Sequence, residues 1–265
     1  MTRTRKIPRV ISMVPSWTEM LLSIGLDTHI DVIGRTRFCI EPSTKVKQIP
    51  IVGGTKDWDL KLIESMAPDL IILDKDENPK SMIEGHKIPF IATHVQNIRS
   101  CIDGIQLIAS AITALNPTTK ENFDAVITRW NQIANKCPIK QHSWQTLPGL
   151  IEWVKQPTTE IKDIYYIIWK NPWMAATKET FIGDLAKMVG LPLSNTAATH
   201  QKHYPEIDLT TLDPNHTLLL FSSEPYPFHK KTEELKSLPF PSAIVDGQSF
   251  SWFGVRSLTF LEKIV

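Results

Sequence analysis

Cysteine is scarce. The 265 residues hold three, Cys39, Cys101 and Cys137, with no C-x-x-C pair and no zinc-ligand spacing. So sparse and odd a set excludes a disulfide scaffold and suits inert or reduced thiols. Charge of one sign is lacking too. Lys+Arg 29 against Asp+Glu 28 leaves +1, which excludes the strong field expected of a nucleic-acid or anionic-membrane binder. No run approaches eighteen apolar residues, so no membrane span is expected. The N-terminal stretch is basic but has no apolar h-region and no small-residue cleavage site. As written, the chain reads as cytoplasmic, and a leader ahead of it would make it periplasmic. There is no G-x-S-x-G and no paired-carboxylate motif. Gly53-Gly54-Thr55-Lys56 lacks P-loop spacing, so catalysis is not expected.

What is present is a globular composition, 42% hydrophobic and 22% charged, long enough for one large domain or two modest ones. Eight Trp against four Tyr is unusual. Tryptophan serves as a core anchor and equally as a stacking surface for a flat ligand.

The first half alternates short strands and helices. Strands are expected at Arg9–Val14, Asp31–Gly34, Leu70–Leu73 and Pro89–Ala92, with helices after Pro15, over Asp59–Met66 and around Ser81–His86. Ser16 and Glu19 have capping-box spacing. Asn116-Pro117 opens a helix whose apolar stripe runs from Phe123 to Cys137, about twenty residues and roughly 30 Å long. Gln141–Thr159 has no clean period and reads as an irregular insertion. The alternation then resumes with strands at Ile164–Trp169, Thr217–Phe221 and Ala243–Val245, and helices at Thr180–Val189, His229–Leu238 and Gly254–Ile264. Continuous apolar strands between helices imply parallel sheets covered on both faces.

Five segments occur in order: Pro15-Ser16-Trp17-Thr18-Glu19, Gly34-Arg35-Thr36-Arg37-Phe38-Cys39, Val52-Gly53-Gly54-Thr55, Ala67-Pro68-Asp69-Leu70, and Ser222-Ser223-Glu224-Pro225-Tyr226-Pro227-Phe228. Together they resemble the helical-backbone solute-binding proteins of ABC importers, in the cobalamin and ferric-siderophore branch and a leaderless subgroup of it. The resemblance covers most of the chain except residues 141–160. It implies two Rossmann-like α/β lobes, residues 1–115 and 138–265, joined by a single long backbone helix at 116–137, with a ligand cleft between the lobes. The implied role is capture of a bulky flat ligand, corrinoid, haem or ferric siderophore, for ABC-type uptake. A cytosolic enzyme or ligand-responsive regulator on the same fold is the alternative.

The candidate ligand residues lie where strands hand over to loops, the usual ligand edge of an α/β sheet. In the N-lobe they are Trp17, Arg35, Arg37, Phe38 and Trp58. In the C-lobe they are Trp169, Trp173, Tyr204, Glu224, Tyr226, Trp252 and Phe253. Phe38, Trp169, Tyr204 and Trp252 match aromatic cleft positions of cobalamin binders and are expected to line one cleft. Two further positions that are Trp in those proteins are Thr55 and Asp74 here. Arg35 and Arg37 suit ligand carboxylates or phosphate, or an ion pair within the loop. Glu224 is a cleft acceptor or fixes its loop, and Asp76-Glu77-Asn78 reads as a solvated turn. His200-x-x-His203 has no third ligand nearby, so neither a metal site nor an intrinsic cofactor is expected. The partner expected is the small molecule, with the protein monomeric and no nucleic acid bound; an ABC permease is a further candidate partner. Against a permease, the family's acidic docking positions fall at Lys61 and Thr210, neither acidic, so the chain is expected to bind its ligand without engaging a cobalamin-type permease. Glu64, Glu206 and Asp208 close by are the alternative docking acids.

Overall fold

Short β-branched runs form strands, and the segments between them cross back as helices. The computed structural model describes residues 7–82, 84, 86–140, 146–194 and 203–265. In chain order the first half gives β1 (Arg9–Ser12), α1 (Pro15–Ser23), β2 (Asp31–Thr36), α2 (Ser43–Val46), β3 (Ile51–Gly53), α3 (Leu60–Met66), β4 (Leu70–Asp74), β5 (Phe90–Thr93), α4 (Ile98–Leu115) and α5 (Lys120–Ala134). The second half gives β6 (Leu150–Lys155), β7 (Asp163–Trp169), β8 (Met174–Ala176), α6 (Phe181–Met188), β9 (Thr217–Ser222), α7 (Thr232–Lys236), β10 (Ser242–Val245), α8 (Gly247–Ser251) and α9 (Val255–Glu262).

The chain divides into two compact units. One holds the residues up to Val95 together with Arg99–Ala134 and Phe253–Leu258, and the other holds Gln96–Ile98, Asn135–Trp252 and Thr259–Val265. The first unit is built on a parallel sheet of order β3-β2-β1-β4-β5. The chain leaves β1 to one side for β2 and to the other for β4, so the strand order switches there, at the place where α/β sheets hold their ligands. Ile11, Met13, Ile33, Val52, Ile63, Ile71 and Leu73 form the core on one face. The second sheet has order β6-β10-β9-β7-β8. Its three inner strands are parallel and the edge strands β6 and β8 are antiparallel. Its core gathers Tyr165, Ile167, Leu219, Phe221, Phe228 and Ile244.

Several expectations are corrected. The Ser16–Glu19 capping box does not form. Pro15 occupies the first helical turn, Val14 is the N-cap with no side-chain bond, and the Glu19 carboxylate is taken by Arg256 at 2.9 and 2.5 Å. The helix expected over 117–137 begins as a 3₁₀ turn at Pro117–Thr119, becomes α-helical at Lys120 and ends at Ala134. The supposed insertion contains β6, which pairs with β10. Helix α4, longer than α5, falls where no element was expected.

By length and composition α4 could cross a membrane, with mean hydropathy 1.3 over 18 residues, an exception to the expectation drawn from the sequence. One stripe of it, Ile98, Cys101, Ile102, Ile105, Ile108 and Ile112, is buried. Gly104 lets it pass close to Trp17, since a Cβ there would stand 3.1 Å from the indole.

Cys39 and Cys101 are buried and Cys137 is exposed. Burial pushes the Cys101 thiol up to about 12 and raises that of Cys39, so neither supplies thiolate at neutral pH. Titration with a disulfide reagent should therefore find one fast thiol in the native protein and three in guanidinium. Three fast thiols in the native state would contradict this packing.

Candidate functional site

At the C-terminal edge of the first sheet, the loops after β1, β3 and β4 are joined by one side chain. Asn78 is buried. Its amide nitrogen donates to Met13 O (3.2 Å) and Thr55 O (2.9 Å), and its oxygen accepts from Asp74 N (2.9 Å). The expected solvated turn is corrected at this position. Asp74, also buried, takes Asp76 N at 3.0 Å and the Thr93 hydroxyl at 2.6 Å. Thr93 in turn accepts from Trp17 Nε1 (2.9 Å). Burial pushes the Asp74 carboxyl above its usual range, the Asp76 charge adds to this, and the hydrogen bonds it accepts oppose it.

Beyond this buried layer the edge is exposed. The Gly53–Asp57 turn needs its glycines. Gly53 has φ 141, and a Cβ there would lie 2.3 Å from Asp57 O. Arg37 pairs with Asp57 at 2.7 Å, and their hydrogen bonding raises the arginine and lowers the carboxyl relative to their ordinary values. Phe38 is 51% exposed, with the Arg37 guanidinium 5.8 Å from its ring centroid. Lys56 Nζ donates to Asp76 O (3.1 Å), and His94 Nε2 stands 3.4 Å from the Asp76 carboxylate.

In the second unit, β7 ends at Trp169, 41% exposed. Its ring meets Tyr226 edge-on at 5.4 Å, and Tyr226 leans on buried Phe228 at 4.6 Å. A ladder of rings thus runs from the core to the rim. Tyr166 OH is 3.1 Å from Ser222 Oγ, which donates to Glu224 O, so buried groups fix the Glu224–Tyr226 loop. Glu224 accepts from Gln248 at 3.3 Å. Tyr204, 36% exposed, lies on a segment hydrogen-bonded to β8, through Thr177 N to His203 O and Ala175 N to Pro205 O.

Other candidates are turned inward. Trp17 is fully buried, packed on Phe253 at 4.6 Å and bonded to Thr93. Arg35 is buried and donates to the carbonyls of Val46, Thr36 and Cys39, so it holds its loop instead of meeting a ligand. Trp252 and Phe253 are each 7% exposed, which makes them packing residues. Half-buried Trp58 sits against the first core with His86 at its edge. Trp173 lies near-parallel to Phe228, with Lys170 over it at 5.4 Å. Of the four residues expected to share a cleft, Phe38 falls in the first unit and Trp169, Tyr204 and Trp252 in the second. His203 contacts Gln96 at 3.1 Å, while His200 and Trp144 lie outside the described residues. Among the described residues, no three His, Cys, Asp or Glu side chains gather as a metal site.

No family model matches the chain, and no curated protein matches it. Solved structures do. The periplasmic vitamin B12-binding protein BtuF of Vibrio cholerae is 14% identical, with TM-score 0.63 over 97% of this chain and 94% of that one. The periplasmic haem-binding protein RhuT of Roseiflexus sp. is 14% identical, with TM-score 0.65 over 97% and 96%. A possible iron-binding, periplasmic solute-binding protein of Staphylococcus epidermidis is 19% identical, with TM-score 0.66 over 96% of each chain. The fold is that of these periplasmic binding proteins, carried over nearly the whole chain.

Asp74 gives a test of the buried layer. It holds its proton more tightly folded than unfolded, so its stabilising contribution is full below its ordinary value of 3.8 and is lost as pH rises through the raised folded value. Asp74→Asn should therefore gain on the wild type in urea unfolding as pH goes from roughly 3.5 to 8. A difference that does not change with pH would contradict the burial argument.

Proposed function

We propose that this protein captures a bulky flat solute, such as a corrinoid, haem or ferric siderophore, and delivers it to an ABC-type importer outside the cytoplasmic membrane. The observation that carries this is the match of fold over nearly the whole chain to periplasmic proteins that bind vitamin B12 and haem. The exposed aromatics support it. Phe38 lies in the turn just after β2 and Trp169 ends β7, each at the edge of its sheet where α/β folds hold ligands, and stiff rings bind flat faces with little loss of side-chain entropy.

Delivery requires a docking surface. Lys61 and Thr210 are exposed and neither is acidic. The Asp208 carboxylate is spent on Thr210, accepting from its N–H at 2.9 Å and its hydroxyl at 2.7 Å, which lowers its pKa. Exposed Glu64 and Glu206 are the acids left to meet a permease on this proposal.

Purified protein titrated with haemin, cyanocobalamin and ferric siderophores should show saturable tryptophan quenching with at least one class. Trp169→Ala should then weaken that ligand by roughly 2- to 12-fold with little change in melting temperature. Trp252→Ala, by contrast, should cost about 3–5 kcal/mol of stability. Quenching by none of the three classes would overturn the proposal.

A further inference from the structure

The exposed turn after β3 bears on what the solute carries at its rim. Arg37 lies against Gly53–Asp57, with Nη1 donating to Asp57 Oδ1 at 3.2 Å and Nη2 to Oδ2 at 2.7 Å. A Cβ at Gly54 would stand 2.7 Å from Arg37 Nη1 and 2.5 Å from Asp57 Oδ1. The pair therefore rests on bare backbone, and glycine is what leaves room for it. A guanidinium has five N–H donors in a planar fork. Asp57 occupies the Nη1/Nη2 end, and the described residues engage no other donor of this side chain. The Nε side remains open, and an Nε–H beside an Nη–H is the geometry that takes a carboxylate bidentately. Lys56, on the same turn, uses one donor on Asp76 O, and the described residues leave its other donors unused. Both cations are exposed, and Phe38 lies under the arginine, 5.8 Å from it.

We propose that Arg37, assisted by Lys56, reads a carboxylate on the rim of the flat solute that Phe38 stacks. Asp57 is the positioning residue that holds the fork on Gly54. The solute is then a planar molecule with free peripheral carboxylates, not one whose rim is capped as amides or esters. This rests on the binding role proposed above and narrows its ligand class. A solute lacking either the flat face or the rim charge uses only half of the arrangement.

The test compares haemin with haemin dimethyl ester, which has the same ring and no free carboxylate, with cyanocobalamin and a ferric siderophore alongside. Wild type should bind haemin about tenfold to a hundredfold more tightly than the ester. Arg37→Gln should bring the two affinities together while leaving the melting temperature in place, since an exposed pair contributes little to stability. Equal affinity for acid and ester in the wild type, or a preference that survives Arg37→Gln, overturns the carboxylate assignment and leaves the binding role standing. Tight binding of cyanocobalamin with weak binding of haemin does the same. Failure of all four probes removes the binding role and this inference with it.

Discussion

The Asn78 amide is the constraint on which the C-terminal edge of the first unit's sheet depends. A buried primary amide must satisfy its donors and acceptor or cost the fold their desolvation. Asn78 does so by reaching three loops that otherwise have little in common: its partners Met13, Thr55 and Asp74 end or follow β1, β3 and β4. The Trp17–Thr93–Asp74 chain lies next to it, so the polar groups of this layer are mutually saturated. Loops that would otherwise fluctuate independently are thereby made into one surface. The exposed groups that could touch a solute, Phe38, Arg37 and Lys56, stand on a foundation whose own hydrogen bonds point inward.

The second unit reaches the same end by other means. Tyr166 and Ser222 tie the loop after β9 from beneath. Gly247 lets α8 start close by, since a Cβ there would lie 2.4 Å from Ser222 Oγ. Above that anchor, Phe221, Phe228, Tyr226 and Trp169 form successive ring contacts from core to surface. Removing the outermost ring should leave the inner ones packed, which is how a surface can have a binding role separable from stability. Trp252 has no such independence, because it is buried.

Much of the architecture could be read from local pattern. Leu70–Leu73 and Thr217–Phe221 are continuous apolar runs and form central strands. Asp59 and Thr180 cap their helices with side-chain oxygens accepting from Leu62 N and Gly183 N. Helix α4 went unread although Ile98, Ile102, Ile105, Ile108 and Ile112 recur at helical spacing. Its many Ile and its central Gly104 speak against a helix one residue at a time, and tertiary packing on Trp17 decides the matter. β6 escaped because an antiparallel edge strand with mixed exposure lacks clean alternation. Phe38 and Trp169 could be placed from the sequence as aromatics at or just beyond the ends of β2 and β7. Trp17 could not be, because whether such a ring faces in or out depends on Thr93, 76 residues away. Asn78 looked like a turn residue for the same reason, since its partners lie 65, 23 and 4 residues distant.

The most direct measurement is the unfolding free energy of Asn78→Ala against wild type in urea at neutral pH, where truncation takes this partner from the buried Met13 carbonyl, the part-buried Thr55 carbonyl and the Asp74 N–H. If this amide holds the edge together, the loss is about 2–5 kcal/mol, and the loops after β1 and β3 exchange their amide protons faster. A loss below about 0.5 kcal/mol, with exchange in those loops unchanged, would show that the edge is held by something else.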